Sequence, residues 1–308
     1  MYNMNGVINV YKEAGFTSHD VVAKLRGIVK QKKIGHTGTL DPDAEGVLPV
    51  CLGNATKLCG LLTEKEKTYR AVLLLGQTTD TQDTSGRVLT EAPVTATGEQ
   101  VQEAIMSFLG DYDQVPPMYS ALKVNGKKLY ELAREGKEVE RQARRVRILD
   151  MEIHEIRLPE VTFTVTCSSG TYIRTLCQDI GEKLGCGGCM KSLLRTKVDR
   201  FELADSHKLS ELETMMHEGR IEEVLLPVDD VFAVCPAVRI RQESDRLIQN
   251  GNPFGKEDIA ETTGECPPEG TELERNCVRV YNSEGDFRGL YRREQGGRRY
   301  KPEKMFLS

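Results

Sequence analysis

The chain has 308 residues, 29% charged and 39% hydrophobic, with a formal net charge of −5. That balance fits a soluble globular protein of one large domain plus a smaller one, and no apolar run approaches the roughly 18 residues that a membrane-spanning helix requires. The opening MYNMNGVINVYKE has neither the basic nor the apolar region of a signal peptide, so a cytoplasmic protein is expected. Nine scattered cysteines suit a reducing compartment. Cys186 and Cys189 form a C-x-x-C, but no second pair stands at zinc-ribbon or finger spacing and the five histidines are dispersed. No metal is expected, and small buried thiols beside a Gly-rich turn are the reading of that pair.

In chain order, Thr17 or Ser18 can cap a helix in which Val21, Val22, Leu25 and Val29 share a face. Residues 35–57, GHTGTLDPDAEGVLPVCLGNATK, follow. Glycines 35, 38 and 46 and prolines 42 and 49 mark this stretch as neither a regular helix nor a central strand. Asp41 precedes Pro42, which drives it away from helical backbone. An extended or turned loop of this kind can present a carboxylate, although Asp-Pro in such a setting also serves as a plain turn. Thr68–Gly76 reads as a buried strand. Val161, Phe163, Val165 and Cys167 alternate with hydroxyl residues as in a half-buried strand, which ends at Ser168-Ser169-Gly170. Ile173, Leu176, Cys177, Ile180 and Leu184 then form a helical stripe, with Thr171 as its cap. A boundary is expected near 228–237, dividing the chain into domains 1–236 and 237–308. In the second, Val278 and Val280, then Phe287, Gly289 and Tyr291, flank Asn282–Asp286 as in a hairpin.

Charge is unevenly spread. Residues 21–33 carry Lys24, Arg26, Lys30, Lys32 and Lys33 with no acid, and residues 123–147 carry nine bases against four acids, each stretch amounting to +5. Residues 257–274 hold seven acids and no base. Binding to a polyanion depends on local fields rather than whole-chain charge, so the first two stretches are candidate contacts. The acidic stretch reads as a divergent insertion.

The segment GHTGTLDPDAEGVLPVCLGNATK is similar to the signature loop of the TruB family of tRNA pseudouridine synthases. NVYKEAGFTSHDVVAKLR (9–26) resembles the family's N-terminal KP-x-G-x-TS segment, with Glu13 where proline is usual. KTYRAVLLLGQTTDTQDTSG (67–86), PPMYSALKVNGKKLYELAREG (116–136) and CSSGTYIRTLCQDIGEKLGCG (167–187) follow in the family's order. Together the five blocks cover most of residues 5–205.

The resemblance implies an α+β fold: a mixed, mainly antiparallel sheet of the pseudouridine synthase type, with a small C-terminal β-barrel of the PUA type. It implies isomerisation of the tRNA T-loop uridine conventionally numbered 55. That reaction breaks the N1–C1′ bond, turns the uracil and joins C5 to C1′, so neither cofactor nor metal is needed. The family's aspartate falls on Asp41, which either attacks C1′ or takes a sugar proton. The arginine paired with it falls on Arg174, and the tyrosine that stacks on the uracil falls on Tyr69. His36, Leu193, Lys12 and Lys57 match positions that meet the target or the RNA. Without the resemblance, Tyr69 and Leu193 read as core residues and Arg174 as an ordinary surface arginine. The expected partner is tRNA, met by a monomer with no obligate protein partner and no membrane. Two rivals are a non-catalytic tRNA binder or folding chaperone on the same scaffold and a guide-RNA-dependent relative. The joint presence of Asp41, Tyr69 and Arg174 weighs against the first, and the insert at about 77–150 against the second.

Overall fold

A computed structural model of the chain describes residues 4–124, 126–267, 272–294 and 298–306. Its first strand, β1 (Gly6–Lys12), is almost wholly buried, because both its faces are covered. Ile8 and Val10 point to one apolar cluster and Val7 to another. The first cluster is closed by helix α1 (Ser18–Val29), whose buried side is Val21, Val22, Leu25 and Val29, the stripe read from the sequence. Thr17 caps it. Its hydroxyl accepts from the Asp20 N–H while the Asp20 carboxylate accepts from the Thr17 N–H, a reciprocal capping box.

After the short β2 (Ile34–His36) and the loop bearing Asp41 comes β3 (Glu45–Leu52), a nearly fully buried strand paired with β1 along its length. The expectation that residues 35–57 hold no central strand is therefore corrected. Proline is tolerated because of which way its missing donor faces. The Pro49 carbonyl accepts from the Thr37 N–H, and a residue's N and O point to the same side of a strand. The vacant donor position thus lies toward the irregular loop, away from the β1 ladder.

The remaining strands are β4 (Lys67–Leu75), β5 (Gly110–Gln114), β6 (Arg144–Arg157) and β7 (Glu160–Cys167), then β8 (Gly188–Val198) and β9 (Leu225–Pro227). They run in the order β9-β1-β3-β8-β4-β7-β6-β5 within a ten-stranded sheet. All neighbours along this path are antiparallel except β3 and β8. Strand β7 alternates buried and half-buried residues as its sequence pattern requires. Helix α2 (Ile173–Lys183) packs Ile173, Leu176, Cys177 and Ile180 into the main core over β4 and β7. Thr171 does not cap it. The helix begins after Tyr172, and the Thr171 hydroxyl donates instead to the Ser168 carbonyl, closing the turn that leaves β7.

A second sheet of six strands begins at Ala237 and forms a half-barrel, consistent with a PUA-like domain. Strands Cys277–Tyr281 and Phe287–Arg293 form the expected hairpin, its turn tied by the Asn282 amide to the Asp286 carboxylate. Ile259–Thr263, an edge strand of this sheet, carries part of the acidic stretch, while residues 268–271 of that stretch lie outside the described residues. The two sheets share an apolar cluster in which Leu290 and Phe306 meet Val7, Val47, Leu58 and Phe201. Lys65, in the turn before β4, also joins the two parts of the chain, 2.9 Å from Glu274 in the short helix Glu272–Asn276. Leu290→Ala is expected to destabilise the whole protein by about 2–5 kcal/mol, because a fully buried contact between the two sheets is emptied. Chemical denaturation should show this as a lower midpoint in a single transition.

Candidate active site

The loop between β2 and β3 is fastened at several points. The Leu40 N–H donates to the buried Ser18 hydroxyl at 2.9 Å, and the Leu40 side chain enters the main core. Lys12, fully buried at the end of β1, donates through Nζ to the carbonyls of Glu13, Pro42 and Ala44. Burial pushes its ammonium down to about 8, against the opposing pull of Glu45, Asp41 and Asp43. On the far side, Arg195 of β8 holds the Val47 carbonyl at 2.7 Å and the Gly38 carbonyl at 3.4 Å. Gly46 permits this approach, since a Cβ there would stand 2.2 Å from the Arg195 carbonyl oxygen.

Asp41 emerges from the fastened loop onto Arg174 in the first turn of α2, whose Ile173 and Leu176 share a core cluster with Leu40 of the loop. Nε of Arg174 lies 2.9 Å from Oδ2 and Nη2 lies 3.3 Å from Oδ1, a two-pronged pair. The arginine side chain is only 7% exposed, whereas the aspartate is 40% exposed, so the carboxylate faces the opening and the cation backs it. Burial raises the Asp41 carboxyl above its ordinary range, and Arg174 is the largest influence in the opposite direction. Arg174 is itself held by the carbonyls of Thr81 and Tyr119, both at 2.9 Å, and by Asp83 at 3.6 Å.

Tyr69 on β4 and Leu193 on β8 are buried and share the core cluster that contains Leu40, so both stand at the wall behind the loop. Tyr69 is the cross-strand partner of Arg195. His36, at the end of β2, accepts the Gly38 N–H on Nδ1 and meets the His19 ring edge-on at 5.4 Å. Burial lowers its pKa, with the neighbouring His19 adding to the effect, so the ring is neutral at pH 7. It lines an apolar cleft of about 300 Å3 with His19, Val22, Arg26, Ile34 and Cys59.

The other two expected RNA contacts are placed differently. Lys12 is sealed beneath the loop and serves its carbonyls. Lys57 is exposed, but its Nζ donates to the Met305 carbonyl of the second sheet at 2.8 Å, away from Asp41. Sequence reasoning passed over Asp83 and Arg195. For Asp83 the available signal was the hydroxyl-rich tract around it, whose Thr81 and Ser85 side chains donate to its Oδ1 and leave Oδ2 for Arg174. Arg195 gave no signal beyond a basic residue in a strand. Among the described residues there is no cluster of His, Cys, Asp and Glu able to hold a metal, and no helix long and apolar enough to cross a membrane.

The same architecture occurs in the crystal structure of a Cbf5-Nop10-Gar1 complex, at 26% identity and a TM-score of 0.71 over 98% of this chain and 85% of that one. The class so defined is the pseudouridine synthase fold with an appended half-barrel. Family models sharpen this. One for the N-terminal domain of TruB family pseudouridylate synthases matches residues 26–173, and one for the tRNA pseudouridylate synthase B C-terminal domain matches residues 174–233. The tRNA pseudouridine synthase B of Lachnoclostridium phytofermentans is 53% identical, covering 99% of this chain and 100% of its own length. That of Alkaliphilus oremlandii is 45% identical over 96% of each. The chain belongs to the TruB family of pseudouridylate synthases.

Proposed function

We propose that this chain is a tRNA pseudouridine synthase that isomerises the T-loop uridine at position 55, with Asp41 acting at the sugar. The observation that carries the reading is the Asp41–Arg174 pair: an open-facing carboxylate gripped from behind by a buried guanidinium. Such a carboxylate can act at C1′ or on a sugar proton while the uracil is freed, turned and rejoined through C5. Tyr69 and Leu193 form the wall against which the base rests, and His36 meets the RNA loop. A uridine in a folded tRNA is stacked, so the nucleotide must be extruded before Asp41 can reach it.

Recognition is by shape and phosphate charge. The exposed face of α1 and the turn after it present Lys24, Arg26, Lys30, Lys32 and Lys33, and the basic stretch 123–147 follows Tyr119, whose carbonyl holds Arg174, and runs into the first residues of β6. Residues 1–236 form the catalytic unit of this reading and residues 237–308 an RNA-binding unit. The enzyme acts as a cytoplasmic monomer. The test is to incubate purified protein with an unmodified tRNA transcript and map pseudouridine by base-specific chemistry. Stoichiometric conversion at position 55 is expected, and absence of any pseudouridine in the transcript overturns the reading.

A further inference from the structure

Helix α2 begins without a cap of its own. Tyr172, at its N-cap, makes no side-chain bond to the first turn. The position three residues on, from which a Glu or Gln would reach back to the Tyr172 N–H, is Thr175. The Thr175 hydroxyl donates elsewhere, to the Gln82 side chain at 2.7 Å. Gln114 at the end of β5, 58 residues before Tyr172, supplies the missing bond. Its Oε1 accepts the Tyr172 N–H at 2.7 Å and its Nε2 donates to the Tyr172 carbonyl at 3.0 Å. Both halves of the amide are thus matched to the peptide groups of one residue, as a neighbouring strand would match them. The side chain is 1% exposed, so water does not compete for either bond.

Arg174 stands two residues past the clamped peptide. Gln114 and Tyr112 share a face of β5, and the Tyr112 hydroxyl donates to the Asp179 carboxylate. Strand β5 therefore grips α2 at its start and again about two turns on. The chain leaving Gln114 passes through Pro116 and Pro117 to Tyr119, whose carbonyl holds Nη2 of Arg174 at 2.9 Å. At Gln114, then, the helix that carries the guanidinium and the segment that carries one of its anchors are fastened to each other.

We propose that Gln114 is a positioning residue of the isomerisation: by clamping the Tyr172 peptide it sets the Arg174 guanidinium where Asp41 needs it. The inference rests on the reading of the chain as a pseudouridine synthase. Gln114 is sealed from solvent and touches no reacting atom, so it acts through Arg174. Without its amide, a buried N–H and carbonyl lose their partner and the first turn of α2 is free to shift. The charged and titratable groups around this path come from several elements. Asp41 faces Arg174, Asp83, Lys12 and Asp43. The Tyr172 phenol faces Arg144, Arg174 and Asp41. Tyr112, paired with Asp179, lies beside Gln114 at 3.4 Å. Of these groups, Arg174 is the one carried on the first turn of α2.

The experiment uses the full-length enzyme and an unmodified tRNA transcript. Single-turnover rates at saturating enzyme are measured across pH for wild type, Gln114→Met, Gln114→Glu, Arg174→Met and the double variant Gln114→Met with Arg174→Met. Filter binding gives the tRNA affinity of each. Gln114→Met, which fills the space but makes neither bond, is expected to lose about a hundredfold in rate at unchanged affinity. The loss should be greatest at low pH, because a displaced guanidinium lets the Asp41 pKa rise. In the Arg174→Met background the same substitution should cost nothing further. Gln114→Glu keeps the shape and is the variant expected to fold. Its carboxyl, while protonated, offers the Tyr172 peptide the same acceptor and donor, and once ionised it has no donor for the carbonyl. Its rate relative to wild type should therefore fall as pH rises, the reverse of Gln114→Met, and this slope alone decides if Gln114→Met does not fold. A residue that only stabilises the fold lowers the thermal midpoint and leaves the rate and its pH profile as in wild type, and that result overturns the proposal. So do multiplicative losses in the double variant, or a Gln114→Glu rate in constant ratio to wild type across pH. Failure of wild type to form pseudouridine strikes at the underlying reading and not at Gln114.

Discussion

Asp41→Asn is expected to abolish turnover, lowering the single-turnover rate by about a thousandfold or more, while leaving fold and tRNA affinity nearly intact. The substitution keeps size and shape but removes the charge that either attacks the sugar or takes its proton. Folding should survive because the loop does not depend on the carboxylate. Its fastenings are the Lys12 ammonium on the Pro42 and Ala44 carbonyls, the Ser18 hydroxyl on the Leu40 N–H and Arg195 on the Gly38 carbonyl. Arg174 also keeps company without the charge, through the Thr81 and Tyr119 carbonyls and Asp83. Filter binding and thermal denaturation should match wild type, and pseudouridine mapping should give no multiple turnover. Turnover at a wild-type rate would remove Asp41 from the chemistry.

How far the sequence carries toward this site depends on the range of the interaction concerned. Helix α1, strands β4 and β7 and the hairpin after Cys277 were legible because periodicity and turn residues act over neighbours. The Asp41 loop was legible as a loop, and its partners Arg174 and Tyr69 only through resemblance, because 133 residues separate the members of the Asp41–Arg174 pair. Pro49 misled, since a proline rule applied along the chain cannot know which side of a strand faces an irregular neighbour. Lys12 and Lys57 came as RNA contacts through the resemblance, which carries positions and not the local partners of a side chain. In the structure their ammonium groups donate to carbonyls, Lys12 beneath the Asp41 loop and Lys57 on the second sheet. Arg195 had no local signature at all. Its position opposite Tyr69 is created by the β8–β4 register, which no single strand encodes.

Arg174→Met is expected to slow the chemical step severely and to change its pH dependence, which separates a paired cation from a mere phosphate contact. The Asp41 carboxyl is already raised by burial, and Arg174 is the largest force lowering it, while Asp83 pushes it up. Removing the guanidinium leaves Asp41 and Asp83 without the cation between them, so the Asp41 pKa must rise further. The reaction needs the ionised form. Activity is lost as pH falls through that pKa, and a higher pKa moves the acid limb of the rate profile upward. Arg174→Met should therefore lose most at low pH and recover part of its rate as pH rises. Recovery stays partial because the orientation given by two prongs at 2.9 and 3.3 Å is also gone. Arg174→Lys should retain the charge yet rescue incompletely, since one ammonium cannot span Asp41, the Thr81 carbonyl and the Tyr119 carbonyl together. The measurement is the single-turnover rate at saturating tRNA for the three proteins across pH. An arginine that only met phosphates would weaken binding and leave that rate and its acid limb where they are in wild type, and such a result would dissolve the pair as a catalytic unit.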